Sequence, residues 1–472
     1  MNTNGIFVII ATLVVIGISF SFAMLAGRKS KQDAENWNIG GRSLPLYVIV
    51  GTQFASAMGG GVIVGQVGSA YTNGISMIFY GLFASLPFIA YLLIGKWIRT
   101  QEFETIPDMI ADLSGGNKAA RIIAAILTIV VPFGWLISNL VAFAKMYTQI
   151  TGLPIEVLVI AMTLLSLLFV MPAGMKTVAW TDFFFACVMA VSCVLVAVYC
   201  VKQGAGISDI RQALPEDFTN LAKSTSKLGW STLITWLIAC LPGGMTNQMY
   251  FQRVCALDSV KKVNRSLIIS GIALFIAFAW SCFIGNAIHV MNPALEGENA
   301  TGWLLTVMPV GLIALFAALI TATIMSTISS AVQSIVVNCT HDIYKTLRPS
   351  VDESRLVNHS RVLSFAVLAA AAILGILSPQ VLNWIVYTYS YSAAGLCVPM
   401  YVGYFMAKKK LVTPAGLIAS MICGIAGCIV AQVLKTSVPF VVFGIAASLI
   451  ALFIVCACTR SSYSAERAAA EE

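Results

Sequence analysis

Apolar residues run through this chain in long blocks separated by clusters of charge, Pro/Gly breaks or polar turns. A helix needs roughly 20 mainly apolar residues to cross the hydrocarbon of a bilayer. Thirteen blocks approach or reach that length, near 5–26, 46–71, 73–95, 121–147, 154–172, 177–201, 229–248, 267–290, 307–338, 361–378, 382–406, 412–434 and 437–458. They predict an all-α polytopic membrane protein with about 13 transmembrane helices. We number them as a leading span, core spans one to ten, and two trailing spans.

Composition agrees: 59% of residues are hydrophobic and 10% charged, against roughly 45–50% and about 25% in soluble domains. The leading block has no base before it (MNTNG) and is followed by Arg28, Lys29 and Lys31, the wrong polarity for a cleaved signal peptide. It is therefore expected to remain as a helix with its N-terminus outside. In that orientation 22 of the 28 Lys and Arg fall in cytoplasmic segments, among them Arg42, Lys96, Arg121, Arg253, Lys262, Arg361 and Lys408, as the positive-inside rule requires. The C-terminus is then cytoplasmic, and the net charge of +8 follows from topology without invoking nucleic acid. The expected setting is the lipid bilayer of the cell membrane; nothing in the sequence bears on oligomeric state.

Most of the twelve cysteines fall within predicted spans and are expected to pack as small apolar residues. His341 and His359 are assigned to a cytoplasmic loop and His289 to an outer helix end, with no Cys or acidic partner at metal-ligand spacing. No histidine metal site is expected from that pattern.

Span one contains Gly51, three successive glycines at Gly59, Gly60 and Gly61, then Gly65 and Gly68; span six contains Pro242, Gly243 and Gly244. Such clusters can permit close helix packing, but adjacent glycines and a Pro-Gly-Gly also unwind helices. Freed backbone groups are tolerated in a membrane where they line a cavity or bind a ligand. Broken helices at matching positions of two halves point to an inverted-repeat transporter with a site near the midplane. Spans one and six each open a set of five helices, and the odd number inverts the second set. The expected units are 1–45 (leading helix and loop), 46–201 (first repeat), 229–406 (second repeat) and 407–472 (trailing helices and tail).

In span eight, Thr323, Ser326, Thr327 and Ser330 recur at i, i+3, i+4 and i+7, with Ser329 beside them. These positions share one helix face. Sodium is a hard cation that favours oxygen ligands, and hydroxyls with freed carbonyls supply them; the alternative is that Ser and Thr bond back to their own helix or glue neighbours. Asp182 lies about two turns into span five. Ionised aspartate at a helix centre costs roughly 2.5–3.5 kcal/mol on insertion scales, so it is a functional candidate. An interfacial Asp that still reaches water fits its position as well; no other acid lies well inside a predicted span.

The stretches NIGGRSLP, GQVGSAYTNG, TIPDMI, AGMKTVAWTD, QRVCALDSVKKVNRS and IMSTISSAVQSIVVNCTHDIYK, in that order and spacing, resemble the sodium/solute symporter family. The resemblance covers essentially the whole chain. It implies the inverted five-plus-five fold of the bacterial leucine transporter and alternating access driven by the sodium ion. It also implies a first sodium site at Ala55, Met58, Thr323, Ser326 and Thr327, where backbone carbonyls come from span one and Thr323, and hydroxyls from Ser326 and Thr327. Thr323 stands where the family usually has Ala. Some members have a second site, matched here by Asp182, Ser326, Ser329 and Ser330, so two sodium ions per cycle are expected.

The small-molecule solute is expected at the breaks and facing helices: Ser56, Ala57, Gly59, Gly60, Trp236, Met245 and Asn247, with Asn139 and the tyrosines Tyr387, Tyr389 and Tyr391 as further candidates. Ala57 stands where the proline transporters carry an Asp, and Ser138 and Asn139 where the sialic acid transporters use an Arg. A small neutral or zwitterionic solute, or a monocarboxylate, is expected over a large sugar; a sodium/sugar-type symporter is the alternative. A channel would use similar oxygen ligands around a continuous pore. The chain is not expected to be an enzyme, lacking HExxH and paired intramembrane carboxylates. A transport-derived sensor would carry a soluble domain, and only TRSSYSAERAAAEE follows Cys458.

Overall fold

The computed structural model describes residues 3–28, 34–170, 174–204, 206–350 and 353–471. Lys29 and Lys31 of the charge pattern, and positions 171–172 at the end of span four, lie outside them. The described residues form helices and turns, with no strand among them.

The helices that position the site are α1 (Thr3–Arg28), α2 (Leu46–Ala57), α3 (Ile78–Ala90), α4 (Ile106–Leu113), α5 (Lys118–Thr151), α6 (Ile155–Val170), α7 (Met175–Gln203) and α8 (Trp230–Gly244). They continue with α9 (Gln248–Cys255), α10 (Val260–Met291), α11 (Val310–Val337), α12 (Glu353–Leu377), α13 (Leu382–Ser392), α14 (Pro414–Val433) and α15 (Phe440–Glu471). Helix starts follow capping chemistry, because the first four N–H groups need acceptors. Thr105 and Asp108 form a capping box at α4, Asn117 accepts from Ala120 N–H at α5, and Thr413 accepts from Gly416 N–H ahead of Pro414 at α14.

Helical structure falls within each of the expected blocks among the described residues, and eight stretches among them are long and apolar enough to cross a membrane. Three of the other blocks, the leading span and spans one and four, appear as apolar helices of 10–17 residues. Span six follows the short helix Leu221–Leu228 after an 85° bend at Gly229, whose φ of 91° is a conformation glycine adopts without strain. The protein is an integral membrane protein by this evidence. Its long helices expose Leu164, Val194, Ile276 and Ile373, while the interior holds Thr52, Gln53, Asn139, Asp182, Arg253 and the span-eight hydroxyls. Lipid tails solvate the apolar exterior, so polar groups gather inside, where they find partners.

The core is a contact chain around α11. α7 packs on both α2 and α11, α5 packs on α11 and α13, and α8 packs on α13 and α3. Gly243 and Gly244 serve this packing: a Cβ on Gly243 would sit 2.5 Å from the Tyr389 carbonyl oxygen, and one on Gly244 2.4 Å from Pro87 Cγ. The helix therefore continues through the Pro-Gly-Gly, and its interruption falls later, at Met245 to Asn247. Gly243→Ala is expected to cost about 1–3 kcal/mol through overpacking against backbone that cannot rotate away, read as a lowered melting temperature in detergent.

Candidate functional site

Helix α2 ends at Ala57, Met58 leaves the helical region (φ −83°, ψ 51°), and helical turns resume at Gly60 to Gly61. A continuous helix would give the Ser56 carbonyl the Gly60 N–H. Instead Ser56 O accepts from Thr327 Oγ1 at 3.1 Å, and Gly60 N–H donates to Asn139 Oδ1 at 2.7 Å. The break in span one is thus stapled by a hydroxyl from α11 and an amide from α5. Gly59 is required there, since its Cβ would lie 2.9 Å from both Thr327 Oγ1 and Asn139 Oδ1.

Of the five hydroxyls on this face of α11, Ser330 turns to Asp182 and Arg253, and the other four divide into three groups. Thr327 Oγ1 reaches the break as above. Ser326 Oγ is buried beside the Asp182 carboxylate and interacts with it electrostatically, although no hydrogen bond of regular geometry joins the two. Thr323 Oγ1 bonds back to Leu319 O at 2.6 Å and Ser329 Oγ to Ser326 O at 3.0 Å, the local bonding that Ser and Thr make in helices. The Thr323 hydroxyl is therefore taken up within its own helix, and its carbonyl accepts from Thr327 Oγ1 at 3.0 Å.

Asp182 is fully buried, not interfacial. Its Oδ2 accepts from Thr52 Oγ1 at 2.5 Å, Ser56 Oγ at 3.0 Å and Ser330 Oγ at 3.2 Å. It also meets Arg253 Nη2 at 3.3 Å. Arg253 is itself completely buried, so its place among the cytoplasmic loop charges is corrected: as the last turn of α9 winds inward, its guanidinium reaches Thr52, Ser56, Ser330 and the Met249 carbonyl. Two buried opposite charges stabilise each other where either alone would carry the full desolvation cost. Asp182 Oδ1 keeps no hydrogen-bond partner. Ser330 and one carboxylate oxygen thus belong to an ion pair, while Oδ1 and Ser326 Oγ lie outside it and make no hydrogen bond of regular geometry.

Next to the break lies a cavity of about 10 Å³ whose walls include Ala57, Gly59, Tyr80, Trp135, Tyr250 and Tyr389. That is roughly the room of one water. Of the expected solute residues, Ala57 and Gly59 line it, Gly60 and Asn139 bond to each other beside it, and Trp236 backs it through an edge-on contact with Tyr80. Ser56 turns instead to Asp182 and Arg253. Asn247 caps α9, and the Met245 carbonyl accepts from Tyr401.

Tyr387 and Tyr391 point the other way, onto Phe440; Tyr389, two residues from each, faces the cavity, as a helix's 100° step requires. Tyr80, Trp135, Tyr250, Phe278 and Ile385 also line the cavity and carried no signal in the sequence beyond being apolar or aromatic. Trp135 Nε1 and Ser138 Oγ are buried without partners.

The described residues also bring Asp108, His341 and Asp342 within metal-binding distance of one another. The sequence pattern offered the histidines no acidic partner at metal-ligand spacing; the fold brings His341 beside two carboxylates. His341 lies on a helical extension of α11 (Asn338–Tyr344) rather than in a loop, and Asp108 comes from 233 residues earlier in the chain.

Comparison with known proteins places this geometry in a family. The family model described as "Sodium:solute symporter family" matches residues 37–424. The sodium/glucose cotransporter of Vibrio parahaemolyticus is 22% identical over 471 residues, covering 91% of this chain and 85% of that one. The sodium/sialic acid symporter SiaT of Proteus mirabilis is 24% identical over 415 residues, covering 81% and 80%. The sodium/proline symporter of Staphylococcus aureus is 26% identical over 238 residues, about half of either chain at 48% and 46%. Among solved structures, a substrate-bound, outward-open Na⁺-coupled sialic acid symporter superposes with a TM-score of 0.81 at 19% identity, over 96% of this chain and 98% of that one. Mhp1, a nucleobase-cation-symport-1 family transporter, gives 0.60 at 14% identity, over 90% and 95%. With a break in span one held against span eight, and a family match over most of its length, the chain belongs to the sodium:solute symporter family and is a transporter rather than an enzyme.

Proposed function

We propose that this protein imports a small neutral or zwitterionic solute, or a monocarboxylate, with sodium, by alternating access across the cell membrane. Its N-terminus is outside, its C-terminus cytoplasmic, and spans one to five and six to ten are the inverted repeats. The observation that carries the sodium assignment is the diverted Ser56 carbonyl: α11 already touches the broken backbone through Thr327 Oγ1. The first sodium lies at that junction, with Ala55, Met58, Thr323, Ser326 and Thr327 as ligands.

The second ion is assigned to the other side of Asp182, where Oδ1 and Ser326 Oγ make no hydrogen bond of regular geometry. Ser330 serves it only indirectly, through the Arg253 network, and Ser329 through the carbonyl it bonds. Arg253 already neutralises Asp182, so this ion binds more weakly than the first. Each sodium entering down the membrane potential contributes roughly 2.3 kcal/mol per 100 mV.

The solute assignment rests on the cavity walls. They include no charged side chain, which favours a solute without net charge, since an unpaired buried charge is costly. The donor of Trp135 Nε1 lacks an acceptor, which favours a solute bearing an oxygen. At about 10 Å³ the cavity must widen to admit any solute, as alternating access requires. The deciding experiment is a thermal-shift screen of purified protein against small-molecule libraries with and without sodium. A true solute raises the melting temperature only when sodium is present, and Trp135→Phe lowers its affinity by about 3- to 10-fold through loss of one hydrogen bond. A solute whose stabilising effect ignores sodium contradicts the proposal.

A further inference from the structure

A second polar cluster lies where the helical extension of α11 meets α4 and α5, and nothing in solute or sodium binding uses it. We propose that Asp108, His341 and Asp342 form a binding site for a divalent transition metal of the zinc type, which ties α4 to the end of the hydroxyl-bearing helix.

The two carboxylates differ: both oxygens of Asp108 are engaged, whereas Asp342 keeps one free. Asp342 Oδ1 takes Thr105 Oγ1 at 2.8 Å and Arg121 Nη2 and Nε at 3.1 and 3.3 Å, and Arg121 Nη2 also holds Asp108 Oδ1. Asp342 Oδ2 has no partner although the residue is completely buried. A buried carboxylate oxygen left unsatisfied is costly, and a cation satisfies it. Asp108 Oδ2, which accepts the Glu104 and Thr105 amides at 3.2 Å each, lies 3.4 Å from His341 Nε2.

That separation is long for a hydrogen bond. It matches the spacing of two tetrahedral zinc ligands, about 3.3 Å for bonds of about 2.0–2.1 Å. The three ligand atoms lie within 4.8 Å of one another, and the side chains would close in to reach tetrahedral spacing. On the far side of the imidazole, Glu104 Oε2 stands 3.9 Å from Nδ1, an ion-pair separation beyond hydrogen-bond reach, and it accepts from Asn38 Nδ2 at 2.8 Å. Arg121 binds Oδ1 of both acids and leaves Asp342 Oδ2 free. An adjoining cavity of about 600 Å³, lined by Glu104, Asp108, Arg121 and His341, gives an ion access. One imidazole with two carboxylates suits zinc, whereas calcium and magnesium call for six or more oxygens.

The test is a zinc titration of the tag-free, full-length protein in detergent, in competition with a chromogenic chelator. One zinc per chain is expected, unaffected by excess magnesium. His341→Ala and the isosteric Asp342→Asn should each weaken it by at least about 10-fold. Both variants keep every cysteine, so thiol binding cannot produce that difference. Wild-type protein that takes no zinc, or His341→Ala that binds it as tightly as wild type, overturns the site. Because binding is read without transport, failure here leaves the symport proposal standing, and failure of symport leaves this test intact.

Discussion

Replacing Arg253 with methionine is expected to destabilise the protein by about 3–5 kcal/mol, the cost of stranding one buried charge. The guanidinium and the Asp182 carboxylate are both fully buried, and Arg253 also organises Thr52, Ser56 and Ser330 around that carboxylate. Without it, three hydroxyls face an uncompensated anion. Asp182→Asn in the same chain should recover most of the loss, since the double variant buries no charge and keeps the shape.

The single variant should also respond to sodium more strongly than wild type does. Asp182 then has no resident cation, and a sodium ion that must compete with a guanidinium in the native protein competes with nothing. Thermal melts of the wild type, both single variants and the double variant, in sodium and in choline, measure both effects. An Arg253→Met protein melting with wild-type sodium response would show that Asp182 and Arg253 are structural partners alone.

How much of this was legible in the chain differs by feature. The spans were, because lipid imposes a long apolar run that no loop can imitate. The hydroxyl face was, because its period of 3.6 residues is local. The break in span six was displaced from Pro242-Gly243-Gly244 to Met245 through Asn247, since glycine signals unwinding and close approach alike, and here Tyr389 and Pro87 press on both glycines. Arg253 was misplaced among the loop charges because a basic residue near a span end looks the same whether it snorkels outward or turns inward. Its partner sits 71 residues away. Trp135, Tyr250 and Tyr389 converge on the cavity from three different helices, and that convergence is a property of packing with no counterpart in local pattern. Asp108 and His341 were missed for the same reason.

Removing the Thr327 hydroxyl is expected to raise the sodium concentration needed for half-maximal uptake by at least about 10-fold, equivalent to about 1.4 kcal/mol. Thr327 Oγ1 stands within hydrogen-bonding distance of two carbonyls, Ser56 O at 3.1 Å and Thr323 O at 3.0 Å. A hydroxyl has one proton to donate and lone pairs to offer a cation, so this atom both fixes the break and faces the oxygens assigned to sodium. Thr327→Val keeps the shape and loses the oxygen; Thr327→Ser keeps the oxygen and should stay near wild type. Thr323→Ala is the contrast. Its hydroxyl is turned back to Leu319 O and only its carbonyl is assigned to the ion, so sodium dependence should remain within about two-fold, below half of one kcal/mol. Sodium titrations of solute uptake in proteoliposomes separate the two residues. Equal effects at positions 323 and 327 would place the ion elsewhere on α11.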